Sequence, residues 1–406
     1  MSPPKPRGEW AEGWRIVAAA GIGNATGISL LFYTYTLFVL PMAHDLQLTR
    51  AQGGQIQSAL VAAAVGAPVL GRLCDRVSFH KLFLGCTLAM AAVEFAVWQW
   101  AGGFVAMFFG TLALGFIGGG SSTVVITRPI NAHFRKHRGL ALGLVGTGIS
   151  VTTIIASPLM QRVIADYGWR SGFLTLGLVA LLVGLPAALL LMPRWASVPP
   201  QRQAHTGADR SHFRMRDFWL LVGANVCVAM ATSIAIGQLS PMLQERGLTA
   251  ADAAWGVSVF AFGQFVGKLG GGWLLDRFEP HVVAAALNVL PTLGFVILLT
   301  QHGTFAPLMF AAGLIGVLQG ADIDVFAYFI AHRFGMARYG AVFGAMHGMS
   351  WIGIASALVF AGWSFDHFHG FWAAQLVAIG LLLLTALMIS QVRVVRGDLA
   401  NEPAEA

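Results

Sequence analysis

The sequence predicts an all-α membrane protein of twelve transmembrane helices in two pseudo-symmetric six-helix bundles, and three observations predict it. The 406 residues are 56% apolar and 11% charged, against about 25% charged in soluble domains, and mean hydropathy is +0.70. Apolar runs long enough to cross about 30 Å of hydrocarbon, about 20 helical residues each, recur along the chain. The first half also returns in the second at an offset of about 200 residues.

The runs lie near 14–40, 52–73, 82–101, 104–132, 139–165, 170–192, 217–244, 252–275, 281–300, 305–332, 340–363 and 369–391. Lipid requires internally satisfied backbones, and the runs lack the alternation of barrel strands, so they read as helices. The first run is too long for a signal-peptide core and lacks a cleavage site, so it reads as a retained span. Cys74, Cys86 and Cys227 are widely spaced, match no metal pattern and read as small apolar fillers. The only long polar interruption, "PRWASVPPQRQAHTGADRSHFRMR", is rich in proline and arginine. It divides the chain into bundles at 1–192 and 217–406, with a linker at 193–216.

The repeat is visible in several places at one offset. "PMAHDLQLTRA" from Pro41 is answered by "PMLQERGLTAA" from Pro241, and "GRLCDR" from Gly71 by "GWLLDR" from Gly272. Phe134, Arg138 and Asp166 return as Phe334, Arg338 and Asp366. Of the 25 Lys and Arg, nineteen fall at the termini or in the even-to-odd loops, and Arg50, Arg162, Arg170 and Arg246 fall on the opposite side. That bias puts both termini in the cytoplasm. It also accounts for the net charge of +7 without nucleic acid, since the basic residues form no stripe or tail.

Two six-helix halves, a basic central loop and a "GxxxDR" signature after the second span of each half resemble the major facilitator superfamily over essentially the whole chain. Narrower features are similar to its monocarboxylate and oxalate–formate branch: "HFRKHRGLALGLVGTG" from His133, "YGWRSGF" from Tyr167 and "DVFAYFIAHRFG" from Asp324. "IIASPLM" stands where drug antiporters of the superfamily carry a glycine–proline motif, which counts against multidrug efflux. The resemblance implies a cytoplasmic gate of Asp75, Arg76, Arg138, Asp276 and Arg277. It also places a substrate-binding cation at Lys268, where the branch usually has arginine, and cavity-lining roles at Asn24 and Asn225. "GIGNATG" from Gly21 has the wrong spacing for a dinucleotide fingerprint and reads as close helix packing, as do the glycines at 118, 139, 143, 146 and 148.

Five ionisable residues lie well inside spans: Glu94, Arg128, Lys268, Asp322 and Asp324. Each costs about 2.5–3.5 kcal/mol at a helix centre on insertion scales, so each is a candidate functional residue, with a packing ion pair as the alternative. Arg128, Lys268 and Asp324 lie about 10–14 Å in from the cytoplasmic boundary by helical rise, whereas Glu94 lies nearer the outer face, where a local pair or a carboxyl reaching the surface is an equal reading. Residues two apart on a helix diverge by about 200°, so Asp324 reads as the cavity acid, on one face with Tyr328, and Asp322 as its structural neighbour. Gln264 precedes Lys268 by one turn; Tyr33, Tyr35, Gln238 and His347 are weaker candidates.

The expectation is a proton-coupled secondary transporter of a small organic anion, a monocarboxylate, working by alternating access as a monomer in the bacterial inner membrane. Lys268 and Arg128 would attract the anion, with Asn24, Asn225, Tyr33, Gln264 and Tyr328 as further contacts, and Asp324 with Asp322 would carry the proton. The nearest rival is a carrier of an amphipathic cation that uses the acids. A membrane sensor or integral enzyme on the same scaffold is the alternative of another class. No nucleotide loop, metal cluster or nucleophile–base pair supports an enzyme, and no cofactor is implied.

Overall fold

The computed structural model describes residues 9–74, 76–134, 137–193 and 214–392. Asp75, the side chain of Asp276 and linker residues 194–213 lie outside the described residues. Among the described residues, ten helices are long and apolar enough to span a membrane, and Gly13–Ala25 with Ile28–Leu37 makes an eleventh span bent by 45°. Ala250–Arg277 completes the twelve predicted spans: it has spanning length, 28 residues, and is less uniformly apolar because it carries Gln264 and Lys268. No strand occurs among the described residues.

The bend in the first span has a local cause. The first helix ends at Ala25, Gly27 precedes Ile28–Thr34 as its N-cap, and a Cβ there would crowd Ser121. The Ser121 hydroxyl accepts the Ile28 N–H at 3.3 Å, satisfying a backbone donor that the break exposes. Ser121 itself ends the short 3₁₀ turn Gly119–Ser121 that interrupts the fourth span. The two breaks therefore meet inside the first unit, where the fourth span satisfies a donor that the first exposes.

Contacts divide the chain into two units. One holds the residues up to Leu48 and from Gln55 to the linker; the other holds Thr49–Gly54 and the chain after the linker. Inside the first unit, Ile16, Ala19, Phe79, Phe83, Ile126, Ile130 and Val145 pack into a buried cluster. Inside the second, the N–H groups of Arg50 and Ala51 donate to the Asp366 carboxylate at 3.0 and 2.7 Å.

The internal repeat extends to hydrogen bonds. Leu48 N–H reaches the Ala43 carbonyl at 2.9 Å, and Leu248 N–H reaches Leu243 at 3.2 Å. Gln47 and Gly247 take the left-handed conformation at these two helix ends, with φ of 52° and 89°. Thr49 and Gln52 form reciprocal capping bonds, as do Thr249 and Asp252. His80 bonds the Met192 carbonyl at 3.1 Å, and His281 bonds the Val392 carbonyl at 2.7 Å. Duplicated sequence thus folds into duplicated turns, caps and helix-end contacts.

Not every glycine expected at a close contact is at one. A Cβ at Gly139 or Gly143 would meet open space, whereas Gly118 abuts Ile28 and Gly148 abuts the Gly21 backbone. The tightest crossings lie between the second and fourth spans and between the eighth and tenth. Added Cβ atoms at Gly66 and Gly119 would strike the Phe116 carbonyl and the Ala67 amide. Their repeat counterparts Gly267 and Gly320 meet the Val317 and Gln264 carbonyls.

Candidate functional site

The polar site of the second unit is built by a glycine crossing. Gly263, Gly267 and Gly271 recur every four residues on Ala250–Arg277, and Gly313, Gly316 and Gly320 face them from Phe305–Phe334. Without side chains the two backbones touch, and a Cβ on Gly320 would lie 2.7 Å from the Lys268 amide nitrogen. This approach brings Lys268 and Asp324 together: Lys268 Nζ donates to Asp324 Oδ1 at 2.8 Å. Lys268 is therefore held by a fixed acidic partner. The side chains are 23% and 31% exposed, so the pair is neither dry nor freely solvated.

Asp322 is half-buried, and its Oδ1 accepts the Ile323 N–H at 2.6 Å. It lies within electrostatic reach of both Lys268 and Asp324. One lysine thus faces two carboxylates, although only Asp324 makes the direct contact. Tyr328, one turn beyond Asp324, stacks on His332 with ring centroids 3.9 Å apart. Gln264 is buried one turn before Lys268, with its backbone against Gly320.

Asn225 is tied to a neighbouring helix. Its side-chain oxygen accepts the Ser350 hydroxyl at 2.7 Å, joining the seventh and eleventh spans. His347 lies in an aromatic column along the eleventh span, 6.0 Å from both Phe343 and Trp351. Both amide atoms of Gln238 are buried without a partner. Arg333 and Asp217 form an ion pair that sequence reading missed; complementary charges at two helix ends were its only signal.

The first unit holds the remaining candidates. Arg128 is half-buried immediately before Pro129, on Thr123–His133. The Asn24 carbonyl accepts the Ser29 hydroxyl at 3.4 Å, while its buried amide nitrogen has no partner. Tyr33 packs edge-on to Phe32 at 5.4 Å, and the Tyr35 hydroxyl is buried without a partner. Among the expected gate residues, Arg76 and Arg138 are exposed, and Arg277 lies over the Trp273 ring at 5.2 Å.

The comparisons with known proteins give the class of this membrane-spanning fold. The family model of the Major Facilitator Superfamily matches residues 22–224 and again 221–405, so the chain belongs to that superfamily of transporters. Monocarboxylate transporter 11 of Mus musculus is 26% identical over 340 residues, covering 78% of this chain and 74% of the relative. The gallate transporter of Pseudomonas putida is 24% identical over 375 residues, covering 77% and 80%. Among solved structures, the nucleoside transporter NupG aligns with a TM-score of 0.77 at 14% identity, over 92% of this chain and 98% of that one. The fucose:proton symporter of E. coli gives 0.61 at 17%, over 94% and 98%. At these identities the structural likeness speaks for the fold.

Proposed function

We propose that the protein is a proton-coupled carrier of a small organic monocarboxylate, working by alternating access. It acts as a monomer in the bacterial inner membrane with both termini cytoplasmic. The observation that carries this reading is the Lys268–Asp324 pair, a cation and an acid from different spans in direct, partly solvated contact. While Asp324 is ionised it occupies the lysine. A proton on Asp324 removes the competing charge and leaves Lys268 to bind substrate carboxylate. Substrate and proton are thereby taken up together. Lysine is a compact point charge without the guanidinium fork, so it recognises a carboxylate by charge more than by planar geometry.

Supporting the carboxylate are relatives named for monocarboxylate and gallate transport. Gln264 and Tyr328 flank the pair along their helices, Arg128 supplies a second basic residue inside the spans, and Asn24 offers an unused buried donor. Asp75, Arg76, Arg138, Asp276 and Arg277 are retained as the cytoplasmic gate. The rival, a cation carrier, draws on a specific observation: two acids face one lysine.

Labelled uptake into liposomes containing the purified protein separates the two. Monocarboxylate uptake that rises with an acidic exterior and vanishes in Lys268→Ala supports the anion reading. Uptake confined to amphipathic cations, indifferent to Lys268→Ala and lost in Asp324→Asn, would establish the rival.

A further inference from the structure

The first unit contains an acid that this mechanism does not use. Glu94 is 2% exposed on Phe79–Trp100, and its Oε2 has no hydrogen-bond partner. The sixth span passes so close that a Cβ on Gly177 would lie 3.0 Å from that oxygen. Gly177 is the residue that gives the carboxyl its space.

Among the described residues no cation forms an ion pair with it. The only titratable residue on the sixth span is Arg170, at its start, where it holds Asp45 at 2.5 Å and the Ala101 carbonyl at 2.8 Å. The helix Phe104–Gly118 packed on the other side contains no titratable side chain. Arg72 and Cys74 on the second span, and His80, Lys81 and Cys86 on the same helix as Glu94, lie toward the opposite end. An ionised carboxylate buried without partner or counter-charge is strongly disfavoured, and such a group binds a proton instead.

The surroundings are otherwise polar enough to exchange one. One turn further in, Met90 and Ala180 line a small cavity with Thr26, Thr87, Ser121 and Gly27, of the order of one water molecule in size. Gly110 of the fourth span meets Val97 at 3.1 Å, which puts the buried, unpartnered Thr111 hydroxyl within about one turn of the level of Glu94.

We propose that Glu94 is a proton-binding site of the first unit, separate from the Lys268–Asp324 pair and filled whenever the third and sixth spans are packed at Gly177. Its carboxyl O–H bond breaks only when those helices part, and the proton then leaves to water entering beside Thr87 and Ser121. The carboxylate so formed opposes repacking until it is protonated again. Proton occupancy of Glu94 thus reports, and biases, the packing of one helix pair in the first unit.

Infrared spectroscopy of the full chain in lipid at neutral pH tests this without any substitution. Protein labelled with carbonyl-¹³C glutamate is expected to show a protonated-carboxyl C=O band displaced from its unlabelled position. Every other glutamate among the described residues, at positions 9, 12, 245 and 279, lies in the first or last turn of a helix or beside it. The same band is expected to persist in Asp324→Asn and to be lost in Glu94→Gln. Absence of any label-sensitive protonated-carboxyl band would overturn the proposal, as would a band unchanged in a folded Glu94→Gln protein.

Discussion

Cutting the Lys268–Asp324 contact from each side in turn measures how strongly the two residues depend on each other. Exposed ion pairs contribute about 0–1 kcal/mol, and breaking a buried pair costs about 3–5 kcal/mol. With side chains 23% and 31% exposed and a 2.8 Å contact, this pair falls between, at a coupling of about 1.5–3 kcal/mol. Lys268→Met leaves two acids near each other without their cation; Asp324→Ala leaves the lysine with Asp322 alone. The double substitution removes both charges and is expected to unfold later than either single variant. Thermal unfolding of the four proteins in one detergent gives the cycle. Losses that add within about 0.5 kcal/mol would refute the coupling, because independent sites behave that way.

Four further outcomes follow from the packing and the surface charges. Gly267→Ala places a methyl against the Val317 carbonyl and is expected to destabilise by about 1–3 kcal/mol, whereas Gly139→Ala, which meets open space, is expected to be neutral or stabilising in the same unfolding assay. Ser350→Ala removes the donor to the buried Asn225 oxygen and is expected to cost about 1–3 kcal/mol, with Ser350→Thr closer to wild type. The Trp169 indole and then Arg170 donate to ionised Asp45 and hold its carboxyl below the ordinary 3.8. That stabilisation is present above 3.8 and lost as pH falls below it. Because Arg170 and Asp45 are 36% and 46% exposed, Asp45→Asn is expected to cost under about 1 kcal/mol at neutral pH, and unfolding curves of variant and wild type should converge in acid.

Much of the architecture is legible in the sequence because its physical signals are local. A helix must be apolar over its full crossing length, so "LGLVALLVGLPAALLL" in the sixth span declares itself, and the repeat shows in short strings such as "PMLQERGLTAA". Lys268 is legible for the complementary reason, that a lone charge in such a run demands an explanation. Its partner is not. Whether Asp322 or Asp324 reaches it depends on which backbone face meets the eighth span, and the glycines that set that crossing, Gly263 and Gly320 among them, are indistinguishable in sequence from open ones such as Gly139. Glu94 is ambiguous in the same way. Helical rise gives its depth, but only the approach of Gly177 shows that the carboxyl is enclosed rather than reaching the surface.

The central claim is that Asp324 and substrate carboxylate compete for Lys268, with a proton deciding between them. Equilibrium binding of one labelled monocarboxylate, measured from acid to alkaline pH on wild type and on Asp324→Asn, tests it most directly. The account predicts that wild-type affinity weakens as pH rises, while the asparagine variant binds at least as tightly and keeps its affinity where wild type has lost it. An Asp324→Asn protein that fails to bind at any pH, while Lys268→Ala still binds, would contradict it.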